Sequence, residues 1–147
     1  MHWYQPLEQR ILSWRHWRQS LPQELEPCLE EIQRWWCASP WRKVSKLSDD
    51  TSQWPTPWTL FDNMSYCDGM RTLGMFYTMC LIPRLRALDP EIWITYTPEG
   101  ERKIIAVLDQ KKYVLNLDPS SVVNIQHLAG ECQQVLKYRP EDFRKLE

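Results

Sequence analysis

Leu7, Ile11, Trp14, Trp17 and Leu21 follow one another at steps of 4, 3, 3 and 4. That spacing lays them along one stripe of an α-helix. Pro6 suits its first turn, and Gln9, Arg10, Arg15 and Gln19 fall on the opposite face. Leu25, Leu29, Ile32 and Trp36 repeat the stripe at steps of 4, 3 and 4. Pro22 and Pro27 either kink this second helix or delay its start to near Glu26, and Pro40 lies just past its end as a stop signal. Together the stripes predict a helical hairpin. Residues 41–47 have the makings of a short strand, and the polar run 48–53, with Asp49 and Asp50, reads as a linker. Thr56 as N-cap and Pro57 as first helical residue then predict a short helix through Phe61.

Ser65 is a second candidate N-cap, with Asp68 at its third helical position, and Pro83 ends the run that follows. Tyr66, Met70, Leu73, Tyr77 and Leu81 mark one face; from Leu73 onward Met75, Phe76, Met79 and Cys80 make the other faces apolar too. A helix that is apolar all round is buried. Gly74 inside it costs about 1 kcal/mol relative to Ala, which close approach of a neighbouring segment would explain. Beyond it the pattern turns to β-branched and aromatic residues. Strands are expected over 92–97, 103–108 and 112–117, joined by turns at Pro98–Glu101 and Asp109–Lys111, with a fourth short one over 122–125. Pro140 opens a charged tail in which Glu141 and Asp142 suit a last helical turn.

The fold class expected is therefore α+β: an N-terminal helical hairpin, a buried central helix starting near Cys67, and an antiparallel sheet of three to four strands. The expected division is a hairpin over 1–48, an α+β core over 54–138 and a tail over 139–147.

Composition narrows the function classes. Four Gly in 147 residues leave little for a Gly-rich phosphate loop, and a net charge of −1 lacks the basic excess of a dedicated nucleic-acid binder. Cysteines at 28, 37, 67, 80 and 132 are odd in number and contain no C-x-x-C, which argues against a disulfide scaffold and a structural zinc site. His127 and Cys132 are five apart, but two ligands do not make a metal site. No cofactor and no metal are expected. The N-terminus has no signal-peptide pattern, and the longest nearly apolar run, Gly74 to Ile82, is nine residues, against the twenty or so that a membrane helix needs.

One constellation carries chemistry. Exposed N–H groups at a helix start favour a thiolate, and Cys67 stands near the start of the buried helix. The stretch from Tyr66 to Met75 (Tyr-Cys-Asp-Gly-Met-Arg-Thr-Leu-Gly-Met) and the strand–turn–strand from Ile104 to Asp118-Pro119 resemble the transglutaminase-like core, a papain-like α+β fold. The resemblance implies Cys67 as nucleophile and Asp118 as the carboxylate. It also implies a His at the head of the first strand, where this chain has Lys103, and no His occurs between His16 and His127. Without an imidazole the thiol lacks its general base, so the resemblance implies the fold and argues against the activity. His127 could substitute only if the chain beyond Ser121 doubled back to the helix start. The bland reading of Cys67, and of the other four thiols, is a small apolar residue.

Eight of the nine Trp lie in the first 60 residues. Trp and Arg are enriched at interface hot spots, which nominates Trp3, Trp14, Trp17, Arg18, Trp35 and Trp41 as an interface; packing of the hairpin on the central helix is the alternative. As a whole, the Trp- and Arg-rich hairpin, the Trp54-Pro55-Thr56-Pro57-Trp58 element, the Tyr-Cys helix and the short meander resemble small virion proteins of tailed bacteriophages. That resemblance implies a non-catalytic structural subunit of tail, baseplate or neck, assembled in the host cytoplasm. Its partners would be other virion structural proteins, with no membrane, nucleic acid or small-molecule ligand. The alternatives are a cysteine hydrolase or acyltransferase using Cys67, and a small cytoplasmic adaptor.

Overall fold

The computed structural model describes residues 3–42, 47, 50–96, 99–110, 112–118 and 120–124, with the backbone of 132–137. The tail and His127, and most of the strand expected over 41–47, lie outside these residues. Two thirteen-residue helices, α1 (Leu7–Gln19) and α2 (Leu25–Cys37), form the hairpin. Pro27 falls in the first turn of α2, where a missing N–H has no partner to lose. After a 3-10 turn at Thr51–Gln53, α3 (Pro57–Leu60) is capped by the Thr56 side chain, which accepts from the Thr59 N–H.

The central helix, α4 (Asp68–Cys80), starts two residues later than a Ser65 cap would place it, with Cys67 as its N-cap. The cause is an extended pairing. The Tyr66 N–H donates to Pro40 O at 2.7 Å, and the Arg42 N–H donates to Tyr66 O at 3.0 Å, within a parallel bridge between Trp41 and Tyr66. The backbone up to Tyr66 is thus held extended until Cys67. Ten of the thirteen α4 residues are buried. Pro83, which ends the apolar run, also opens the short helix α5 (Pro83–Arg86).

Strands β1 (Glu91–Tyr96), β2 (Arg102–Leu108), β3 (Tyr113–Asp118), β4 (Ser121–Val123) and β5 (Cys132–Lys137) form an antiparallel sheet in the order β4-β3-β2-β1-β5. The first four match the sequence pattern within two residues. The fifth pairs with β1, opposite Thr95 at Cys132 and Glu91 at Lys137. One face of the sheet packs Ile92, Ile104, Ala106, Leu108 and Leu115 against the helices; the other gathers Ile105, Val107 and Val114 with Trp93, Leu117 and Val123.

The indoles cement the hairpin to this core. Trp14 and Trp36 are fully buried, and both donate their Nε1–H to the Thr78 hydroxyl of α4, at 3.1 and 3.0 Å. Trp17 stacks on Trp35 with centroids 4.3 Å apart, and Trp3 lies against Trp35, Trp36, Phe61 and Tyr66. A Cβ on Gly74 would come within 2.5 Å of the Trp36 ring. The close approach expected at this glycine is therefore that of α2. Gly69, one turn earlier, brings α4 near β2: a Cβ there would stand 3.1 Å from the Ile104 side chain.

Candidate active site

Asp68, the first residue of α4, faces the sheet. Lys103 of β2 reaches it with Nζ 3.0 Å from Oδ2, and Asn116 of β3 donates from Nδ2 to Oδ1 at 3.1 Å. The carboxylate thus ties the start of the helix to two strands. Asn116 also donates to the Thr72 hydroxyl at 2.7 Å, and Thr72 donates in turn to Ile104 O at 2.9 Å. From α2, Gln33 closes the network: its Oε1 accepts the Asn116 N–H at 2.6 Å, and its Nε2 donates to Asp118 O at 2.8 Å.

Backbone conformation puts Asn116 there. Leu115 already points to the helices, so the next residue of a regular strand would point away. Asn116 has φ +64°, and the β3–β4 register shifts between Val114 and Asp118. Two consecutive side chains therefore reach the helix face, as a bulge allows. Asn is one of the few non-glycine residues that adopt this left-handed conformation readily. A polar residue inside the apolar run Val-Leu-Asn-Leu is the sequence signal that could have marked the position.

Cys67 adjoins this group as N-cap of α4 and is 5% exposed. Arg71, one turn on, lies within electrostatic reach of Cys67, Asp68 and Cys37. Its guanidinium is held by the hydroxyl and carbonyl of Ser39 and sits over the Trp41 ring at 4.8 Å. Burial lowers its pKa, and the neighbouring thiols and carboxylate oppose the shift. A second thiol, Cys37 at the end of α2, points its Sγ at Asn116 Oδ1 across 3.9 Å. Burial pushes that thiol up most; Arg71 and Lys103 pull it down and Asp68 pushes it further up. Two thiols, two cations and one carboxylate thus share a small volume at the start of α4.

The other sequence candidates fall as follows. Asp118 lies two residues beyond Asn116; its Oδ1 accepts from the Ser120 N–H at 3.0 Å and the Ser120 hydroxyl at 2.7 Å, capping the turn into β4. The polar side chain that bonds to α4 from β3 is that of Asn116, which the sequence reading missed. His127 lies outside the described residues, and the described histidine, His16, is exposed on α1. Among the described residues no three His, Cys, Asp or Glu side chains converge to hold a metal ion. Of the nominated interface residues, Trp14 belongs to the core, Trp3, Trp17, Arg18 and Trp35 are half-buried, and Trp41 is exposed.

No protein-family model and no curated protein matches the sequence. Solved structures do match. Legionella pneumophila LapG superimposes with a TM-score of 0.69 at 13% identity, covering 97% of this chain and 86% of that one. Its calcium-bound form gives 0.68 at 12% identity over 94% and 79%, and its EGTA-treated form 0.68 at 12% over 92% and 76%. LapG has a transglutaminase-like cysteine protease fold. At this identity the likeness shows the fold, and the fold is the one implied by the Tyr66–Met75 and Ile104–Pro119 stretches. It corrects the reading as a non-catalytic structural subunit of a tailed-phage virion, for which no likeness is shown. That reading rests on the Tyr-Cys helix, the short meander, the Trp54–Trp58 element and the Trp- and Arg-rich hairpin. Much of its aromatic surface is committed to packing inside this chain, Trp14 and Trp36 completely.

Proposed function

We propose that the protein is a cysteine hydrolase or acyltransferase of transglutaminase-like type with Cys67 as nucleophile. The observation that carries this reading is the position of Cys67: N-cap of the buried helix, one residue before a carboxylate bridged to β2 and β3. In this reading Cys67 Sγ attacks the carbonyl carbon of an ester or amide. The first free N–H groups of α4 receive the developing oxyanion, and water or an amine then takes the acyl group from sulfur. Lys103, held by Asp68, stands where the family resemblance places an imidazole. Its Nζ takes the Sγ–H proton as the C–S bond forms and returns it to the departing alcohol or amine as the C–O or C–N bond breaks, the base-then-acid role of lysine in Ser–Lys variants of the triad. Asn116 serves as the positioning residue, fixing the Asp68 carboxylate that fixes Lys103.

The test is acyl transfer from p-nitrophenyl acetate, followed by peptide-resolved mass spectrometry. A stoichiometric burst of nitrophenolate with the acetyl group on Cys67 is expected. It should be abolished in Cys67→Ala and reduced at least tenfold in Lys103→Met. His127→Ala serves as the control for the base: a burst that survives it assigns the role to Lys103, and a burst lost with it assigns the role to imidazole. An acetyl group on no cysteine, with Cys67 as slow to alkylate as the buried Cys80, would sink the proposal.

A further inference from the structure

A cavity of about 430 Å³ lies at the other end of α4. Thirteen helical residues at about 1.5 Å each put it about 20 Å from Cys67, so it is separate from the site above. Arg15, Arg18 and Gln19 of α1 form one wall, Gln23 and Arg84 another, and Trp58 of α3 closes it beside the 81–83 turn. Among the described residues three guanidinium groups line it and no carboxylate does.

Their hydrogen bonds show which donors remain. Arg84 is spent on structure: it donates to Pro22 O at 2.9 Å, to Gln23 O at 3.2 Å and towards Cys28 Sγ at 3.6 Å, which also satisfies the rim carbonyls. Arg18 lies over Trp14, with Cζ 4.3 Å from the ring centroid, and its buried Nε has no hydrogen-bond partner among the described residues. Among the described residues neither Arg15 nor Arg18 is paired with a carboxylate. Burial, and then repulsion from Arg15, pull the Arg18 pKa down to about 10. A half-buried guanidinium beside a second one, with an unmet donor and no counter-charge, costs stability until an anion arrives. Guanidinium forks match phosphate oxygens bidentately.

We propose that this cleft is a binding site for a small phosphoanion, with Arg15 and Arg18 gripping the phosphoryl oxygens, Arg84 adding charge from its fixed position, and Trp58 as the flat wall. The cleft is a bounded pocket rather than a basic track, and the chain's net charge is −1, which favours a small molecule over a polynucleotide backbone.

Isothermal titration of the intact protein with inorganic pyrophosphate tests this. Saturable one-to-one binding is expected, weakening at least tenfold in Arg15→Glu and in Arg18→Gln and falling with added salt. Arg34→Gln, an exposed α2 arginine paired with Glu31, should bind as the parent does. Arg15 is exposed on α1, so Arg15→Glu should keep the parent's melting temperature without ligand; Arg15→Gln gives the same reading should the charge reversal unfold the chain. No heat at millimolar pyrophosphate, binding that survives both cleft variants, or binding of a short single-stranded oligonucleotide without binding of pyrophosphate would each overturn the proposal.

Discussion

Gly74 is where a single residue decides the packing of two helices. In an exposed helix, Gly→Ala gains about 1 kcal/mol. Here the added Cβ would lie 2.5 to 2.6 Å from three ring carbons of Trp36. That ring cannot easily retreat: its Nε1–H is bonded to Thr78, and Trp3, Trp14, Trp35, Phe61 and Tyr66 surround it. Overpacking of this kind costs about 1–3 kcal/mol, so Gly74→Ala should be destabilised by about 2 kcal/mol, read as a lowered urea midpoint at unchanged slope. A stabilised variant would mean that the Trp36 ring has room to move. At this scale the sequence was half legible. A glycine in an apolar helix announces a close approach, but nothing in the local pattern says that the neighbour is Trp36. Asn116 behaves likewise: its polarity stands out, whereas its φ of +64° and its reach to Asp68 belong to the folded sheet.

Elements built from local pattern were legible, and elements built from distant pairing were not. The stripes of α1 and α2 and the three strands β1 to β3 follow from periodicity and tight turns. The fifth strand does not, because Cys132–Lys137 earns its place only by pairing with β1, about forty residues earlier in the chain. The start of α4 moved for a similar reason, since the Trp41–Tyr66 bridge overrides the Ser65 cap. The joint between elements is Thr78, whose hydroxyl accepts from Trp14 of α1 and Trp36 of α2 and donates to Gly74 O at 2.7 Å. Thr78→Val keeps the shape and removes the acceptor. Two buried indole donors are then left unmet, at about 1–3 kcal/mol each. A loss of about 2–4 kcal/mol is expected by chemical denaturation, with Thr78→Ser retaining most of the parent's stability. A loss below about 0.5 kcal/mol for Thr78→Val would show that the indoles find other acceptors.

At the scale of the whole molecule, burial of three described thiols, Cys28 and Cys80 fully and Cys37 partly, sets the response to alkali. Cys80 is raised well above the ordinary thiol value by burial, with Arg86 opposing; Cys28 is raised by burial against Arg84, and Cys37 by burial against Arg71. A free thiol ionises near 8.5. Above that pH the unfolded chain sheds these protons while the folded chain keeps them, so stability falls as pH rises through this window. The tyrosines join only above about 10, where Tyr66 is pushed up to about 12, chiefly by burial, and where the lowered Arg18 works in the opposite direction. Between pH 8.5 and 10 the thiols therefore dominate. The melting temperature should be flat from pH 7 to 8 and decline from about 8.5 to 10, and Cys80→Ala should decline less steeply than the parent after allowance for its lower starting point. The same burial predicts that iodoacetamide labels Cys80 only upon unfolding, whereas a nucleophilic Cys67 is labelled in the folded protein. A parent whose stability is level to pH 10, with Cys80 labelled as fast as Cys67, would mean that the core around α4 opens far more freely than its packing implies.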